Sequence, residues 1–230
     1  MKTIGLLGGM SWESTVPYYQ IINRTINDRL GGLHSAKIVL HSVDFHEIEQ
    51  LQHAGEWDKT GSILAQAARS LETAGADCLV LCTNTMHRVA DAIQGAIEIP
   101  LLHIADAVAS SVRESDIHGV GLLGTRFTME QAFYRDRLSD MHGLRVLVPD
   151  KQQRETIHRV IYHELCAGLI KNESRIEFAE IIRDLADRGA EGTILGCTEI
   201  SLLVKQEDSP VPLFDTAEIH ARRAALWALS

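Results

Sequence analysis

Short apolar runs, each closed by glycine or small polar residues, alternate along the chain with stretches of helical periodicity. Thr3 to Leu7 is the first such run, ended by Gly8-Gly9. Ser11 then stands where an N-cap opens a helix through Tyr18, Ile22 and Ile26. Lys37 to Leu40 predicts a second strand. The spacing of Ile63, Leu64, Ala67, Ala68 and Leu71 predicts a helix over Gly61 to Ala74, stopped by Gly75. Cys78 to Leu81 is apolar throughout, as a parallel strand covered on both faces requires. The second half repeats the order: strand at Val120 to Leu123, helix around Met129 to Leu138, strand at Arg145 to Val148. Helices from Glu155 to Leu169 and Ile176 to Arg188 follow, and a strand from Gly192 to Leu195. Strands alternating with helices call for α/β architecture, here two Rossmann-like, doubly wound lobes with parallel sheets.

The two halves are copies. Arg69, Leu71, Gly75, Ala76 and Leu81 fall on Arg183, Leu185, Gly189, Ala190 and Leu195 at a constant shift of 114, which also lays Thr83-Asn84-Thr85 on Cys197-Thr198-Glu199. Gly5-Leu6-Leu7-Gly8 matches Gly121-Leu122-Leu123-Gly124, and Tyr18 matches Tyr134, at a shift of 116. Pro100-Leu101 and Ala105-Asp106 match Pro212-Leu213 and Ala217-Glu218 at 112. The copies therefore predict pseudo-symmetric lobes with a site in the cleft between them. The expected division is 1–97 plus 208–230 against 98–207, with Glu207-Asp208-Ser209-Pro210 as the late crossover. Ligands of doubly wound sheets sit beyond the carboxyl ends of the strands, where Gly8-Gly9, Thr83, Gly124-Thr125 and Cys197 all fall.

Composition narrows the function. A formal charge of -9 argues against nucleic-acid and anionic-membrane partners, which call for a basic surface. No apolar run is long enough for a transmembrane helix, and Ser11-Trp12-Glu13 interrupts the N-terminal apolar stretch too early for a signal peptide. Four cysteines without CxxC spacing fit free thiols in a cytoplasmic protein.

Cys197 lies between a strand end and the helix opening at Thr198-Glu199-Ile200, where N-terminal N–H groups and the helix dipole are expected to lower a thiol pKa. The bland alternative is a small buried residue closing a strand, but a symmetric counterpart at Thr83 weighs against it. Asn84 and Thr85 suit helix capping and anion binding. Cys82 aligns with Gly196 and alternates away from the face of Thr83, and Cys78 and Cys166 read as core fillers. Gly5-Leu6-Leu7-Gly8-Gly9 is not GxGxxG, so its backbone is expected to approach a small ligand through Met10 and Ser11 and not a dinucleotide. Thr125 and Thr128 are either helix caps or substrate hydrogen-bonding groups. Eleven histidines raise the question of metal, yet His158 and His163 are five apart and do not share a helix face. His41 and His46 flank a turn and are expected in solvent; His87 points either into its own helix or toward the site.

Three motifs together, Gly5-Leu6-Leu7-Gly8-Gly9-Met10-Ser11-Trp12-Glu13-Ser14, Asn84-Thr85-Met86-His87 and Leu195-Gly196-Cys197-Thr198-Glu199, resemble the cofactor-independent aspartate/glutamate racemase family over essentially the whole chain. The resemblance is especially close to broad-specificity bacterial members. It implies a homodimer and the absence of pyridoxal phosphate, metal and nucleotide. It also implies two cysteines, one per half, that remove a proton from one face of the substrate Cα and deliver one to the other. The second cysteine carries over to Cys197; the position of the first, directly before Asn-Thr, is Thr83. A hydroxyl donates or relays a proton but is a far poorer base than a thiol at neutral pH. Aspartate-specific relatives carry a Pro-Asp-Arg-Thr segment after the second strand, and here Asp44 to Gln52 contains no arginine. Gln52 is the polar group expected to meet the distal end of the substrate. Glu164 is carried as a contact from a helix that approaches the substrate in relatives, and Thr198 and Glu199 complete the expected contacts.

The reading from sequence is thus an amino-acid racemase acting by 1,1-proton transfer through Thr83 and Cys197, without a cofactor. Its rivals are a malonate-type decarboxylase of the same superfamily, which also keeps only the second cysteine, and a carboxylate-binding protein of weak or no catalysis. An NAD-dependent enzyme is disfavoured by the glycine pattern.

Overall fold

The computed structural model describes residues 1–230. Its order is β1 (Thr3–Gly8), α1 (Trp12–Leu30), β2 (Lys37–Ser42), α2 (Phe45–Ala54), α3 (Trp57–Thr73), β3 (Cys78–Leu81), α4 (Ala90–Gln94), β4 (Leu101–Leu102) and α5 (Ile104–Glu114). There follow β5 (Gly119–Gly124), α6 (Arg126–Glu130), α7 (Ala132–Asp136), β6 (Arg145–Leu147), α8 (Lys151–His163) and α9 (Asn172–Asp187). The chain closes with β7 (Gly192–Gly196), α10 (Ile200–Leu203), β8 (Leu213–Asp215) and α11 (Thr216–Leu229). The strands form two four-stranded sheets, ordered β2-β1-β3-β4 and β6-β5-β7-β8. Every pairing is parallel.

The chain divides into two compact units, residues 1–104 with 220–230, and residues 105–219. The sequence places these boundaries earlier, at 97 and 207. The repeat extends to strand register. Ile4 pairs with Cys78 and Leu79 with Leu101 in the first sheet, as Val120 pairs with Gly192 and Thr193 with Leu213 in the second. These are the residues that the shifts of 116, 114 and 112 superimpose. Both sheets need covering on two faces because their central strands, β1 and β3 in the first and β5 and β7 in the second, are almost wholly apolar and buried. In the first unit Leu7, Ile48, Leu64, Leu71, Leu79 and Leu81 form one contiguous core. In the second, Leu123, Ile157, Phe178, Ile182, Leu185 and Leu195 do the same.

Several elements differ from the sequence reading. The segment around Met129 to Leu138 is not one helix: α6 and α7 break at Gln131, and a π-helical turn occupies Arg137–Met141. That turn faces α5, where the Asp106 carboxylate accepts from Arg137 Nε and a terminal nitrogen, both at 2.7 Å, and from His142 Nε2 at 2.8 Å. Ser11 occupies the N-cap position of α1 without a side-chain cap. The helix predicted over Glu155 to Leu169 begins earlier, at Lys151 behind a capping box of Asp150 and Gln153, and ends earlier, at His163. The elements α2, α4, β4, α5, α10, β8 and α11 have no counterpart among the periodic stretches of the sequence. No helix is long and apolar enough to cross a membrane.

Candidate active site

In the first unit, the loop after β1 turns at Gly9, whose φ of 94° suits glycine and whose added Cβ would lie 2.3 Å from the Val43 carbonyl oxygen. Gly9 N–H donates to Thr15 Oγ1 at 2.9 Å. The hydroxyls of Ser14 and Thr15 donate back to the Ser11 carbonyl, at 2.8 and 3.0 Å. The first turn of α1 therefore grips the loop that carries Met10 and Ser11, the reverse of the predicted cap. Ser14 Oγ also reaches the Cys82 carbonyl at 3.5 Å, which ties this loop to the end of β3.

Thr83 follows directly. Its side chain is buried, and Asn84 and Thr85 behind it are buried too. Asn84 precedes a 3-10 turn over Thr85–Val89 and makes no side-chain cap, so the predicted capping role is not the one it performs. The Thr83 carbonyl is held by His87 Nδ1 at 2.7 Å. Gln52 is buried on α2. Cys82 is wholly enclosed, its Sγ donating to the Val80 carbonyl at 3.7 Å, and burial pushes its thiol pKa up.

In the second unit the equivalent loops end β5 and β7, neighbours whose last residues, Gly124 and Gly196, are register partners. A Cβ on Gly196 would lie 2.7 Å from the Leu123 carbonyl oxygen, so the residue before Cys197 has room only for glycine. Thr125 caps α6, accepting weakly from Thr128 N–H at 3.4 Å, with the two hydroxyls 3.3 Å apart. The capping alternative is thus the geometry seen.

Cys197 is buried, and its Sγ donates to Glu199 Oε2 at 3.0 Å. The Thr198 hydroxyl donates to the same oxygen at 2.7 Å. Burial first, and then the Glu199 carboxylate, push the Cys197 thiol well above its ordinary pKa. This corrects the expectation of a lowered value. The helix that follows has only four residues, too few to build a useful dipole, and a carboxylate sits where an anion-stabilising donor was expected. Cys166 is also raised, to about 12, by burial and then Glu199.

Glu164 closes α8 with its carboxylate already engaged by Ser174 Oγ at 2.6 Å, Lys171 at 3.3 Å and Arg159 at 3.5 Å. His41 is half-buried in β2 and His46 exposed on α2. His158 offers Nδ1 to Arg126 N–H at 3.3 Å. No group of three metal-ligating side chains is brought together. What the sequence did not specify is the role of Glu199 as the thiol's acceptor, although its position two residues after Cys197 was visible.

The model of the Asp/Glu/Hydantoin racemase family matches residues 7–224. The broad specificity amino-acid racemase RacX of Bacillus subtilis is 23% identical over 228 residues, which is 95% of each chain. A crystal structure of a candidate Asp/Glu racemase from Yersinia pestis is 56% identical and superimposes with a TM-score of 0.95, covering 100% of both chains. An aspartate racemase homologue from Pyrococcus horikoshii is 36% identical, with a TM-score of 0.87 and 100% of both chains covered. With a repeated α/β scaffold, a small hydroxyl and a thiol at equivalent strand ends and a family match over nearly its full length, the chain belongs to the Asp/Glu/Hydantoin racemase family.

Proposed function

We propose that the protein racemises amino acids by 1,1-proton transfer without a cofactor, using Cys197 and Thr83 as the two proton-transferring groups. The observation that carries the reading is their equivalence. Each follows the second central strand of its own sheet, β3 or β7, at positions that the repeat superimposes. Inversion at Cα needs one group to take a proton from one face and another to supply the opposite face.

Cys197 begins as a neutral thiol hydrogen-bonded to Glu199. In the proposed cycle Glu199 Oε2 takes the thiol proton, leaving a thiolate that removes the α-proton of an L-amino acid. The Thr83 hydroxyl gives its proton to the far face of the carbanion and takes one from water, and the hydroxide so formed receives the proton held by Glu199, which returns every group to its starting state. Enantiomers are isoenergetic, so catalytic efficiencies in the two directions must balance. The cost of a poor base at Thr83 therefore appears as weak turnover of the D-enantiomer at accessible concentrations, or as slow turnover overall.

For substrate, the reading is aspartate, glutamate or a broader set. The segment Asp44 to Gln52 carries no guanidinium to grip a distal carboxylate bidentately, and Gln52, buried on α2, is the proposed polar partner of the distal group instead. The similarity to RacX, named for broad specificity, supports the wider set. Met10, Ser11, Asn84, Thr85, Thr125, Thr128 and Thr198 remain the proposed surroundings of the substrate. Glu164, committed to three partners, would serve by shaping the pocket. The protein is proposed to act in the cytoplasm as a homodimer. Trp12, Val16 and Tyr19, exposed at helical spacing on α1, offer an apolar face for a second copy.

Chiral chromatography after incubation with L-aspartate, L-glutamate, L-homoserine and L-methionine tests the function. Formation of a D-isomer supports it; consumption of a substituted malonate with release of carbon dioxide, and no D-isomer, favours the decarboxylase instead.

A further inference from the structure

His87 is buried in the first unit on the 3-10 turn Thr85–Val89, and the chemistry of its two neighbours fixes its protonation pattern. Ile104 N–H points at His87 Nε2 from 3.2 Å. A backbone N–H can only donate, so Nε2 must be the acceptor and carries no proton. The ring proton of the neutral imidazole then lies on Nδ1, which donates to the Thr83 carbonyl at 2.7 Å. One ring therefore joins two backbone points that are far apart in sequence. The first is the peptide of Thr83, and the second is the N–H of Ile104, the last residue of the first unit before the chain passes to the second. His103 stacks edge-on against His87 with centroids 4.4 Å apart, which limits tilting of the ring.

We infer that His87 is a positioning residue for Thr83: its neutral, Nδ1-protonated imidazole clamps the Thr83 carbonyl to the Ile104 amide and so fixes the direction of the Thr83 hydroxyl. The inference rests on the racemase reading for the consequence of that direction, and on the hydrogen bonds alone for the clamp. A hydroxyl that must hand a proton to a carbanion is sensitive to small displacements, because misplacement by about 1 Å can cost roughly 100-fold in rate. Nothing beyond the Thr83 backbone is asked of the ring; it stays outside the proton path.

Two substitutions separate the two ends of the clamp. In His87→Asn the amide nitrogen occupies the place of Nδ1 and still donates to the Thr83 carbonyl. In His87→Gln the amide oxygen occupies the place of Nε2 and still accepts from Ile104, but the Thr83 carbonyl loses its donor. The expected result is that His87→Asn keeps kcat for D-isomer formation within a few-fold of wild type. His87→Gln lowers it by roughly 10–100-fold, while exchange of the L-substrate Cα–H in heavy water, which uses Cys197, changes little. Equal losses of kcat and of exchange in both variants would overturn the positioning role. Long-range ¹⁵N–¹H NMR of the wild-type protein reads the clamp without any variant. An Nδ1-protonated, Nε2-unprotonated pattern for His87 is expected, and the opposite tautomer or an imidazolium at pH 7 would overturn it. If the wild-type protein racemises nothing, the functional reading fails, while the NMR result still decides the clamp.

Discussion

Cys197 Sγ lies 3.0 Å from Glu199 Oε2 and donates its proton to it. The contact has two opposed effects. As a negative neighbour, the carboxylate makes the thiolate harder to form; as the nearest acceptor, it supplies the place for the thiol proton to go. Burial acts in the same direction as the charge and is the larger cause of the raised pKa. The resting thiol is thus a poor nucleophile, and in the proposed cycle it acts as a base only when proton transfer to Glu199 and substrate binding coincide.

This fixes the pH behaviour of the thiol. Because the Cys197 pKa lies well above the ordinary 9.0, its thiolate fraction at neutral pH is small and grows about tenfold per pH unit. Iodoacetamide labelling of the Cys197 peptide, followed by mass spectrometry, should accelerate continuously from pH 7 to 9 without a plateau. Glu199→Gln removes the charge, so labelling at pH 8 should become several-fold faster, while racemisation falls because the proton acceptor is gone. Slower labelling together with unchanged racemisation would contradict the role given to Glu199.

Thr83→Cys restores a thiol to the first half. Racemisation should be retained or raised, with the larger gain in turnover measured from the D-enantiomer, since a thiolate replaces a hydroxyl as the base on that side. Initial rates from both enantiomers by polarimetry check this, and a loss of activity in both directions would contradict it.

The duplicated tyrosines offer a test independent of function. Tyr18 and Tyr134 are both fully buried, and Tyr18 Oη is 3.0 Å from His220 Nδ1, whereas the Tyr134 hydroxyl has no hydrogen-bond partner. A buried unpaired hydroxyl costs about 1–3 kcal/mol, so Tyr134→Phe should leave stability unchanged or raise it by about 1 kcal/mol. Tyr18→Phe should lower it by about 1 kcal/mol. Urea unfolding of both variants makes the comparison.

The strands and the duplication were legible because parallel strands covered on both faces must be apolar throughout and glycines must recur where backbones approach closely. Seven elements carry no legible periodicity, for identifiable reasons; α4 and α10, of five and four residues, are too short to show one. β4 has two residues and β8 three, too few for a pattern. The segment α2 is helical through an Asp44 cap accepting from His46 N–H, in a stretch of mixed polarity. The long helices α5 and α11 fall where the repeat matches Ala105-Asp106 with Ala217-Glu218, so the duplication marks them although their own periodicity does not. At the site, positions were legible and electrostatics were not. Cys197 and Thr83 could be placed at strand ends from spacing alone, but the direction of the Cys197 pKa shift depended on the depth of burial and on where the Glu199 side chain turned. The hydrogen bonds of His87 depended on Ile104, seventeen residues away, which no local pattern brings near.

In the proposed cycle Cys197 exchanges a substrate α-proton and Thr83 completes the inversion. Proton NMR of L-glutamate and L-aspartate in heavy water, with chiral analysis of the product, tests it most directly when wild type is run beside Cys197→Ser. Loss of the Cα–H signal with appearance of deuterated D-isomer is expected in wild type, and neither in Cys197→Ser. Full exchange and inversion in Cys197→Ser would contradict it.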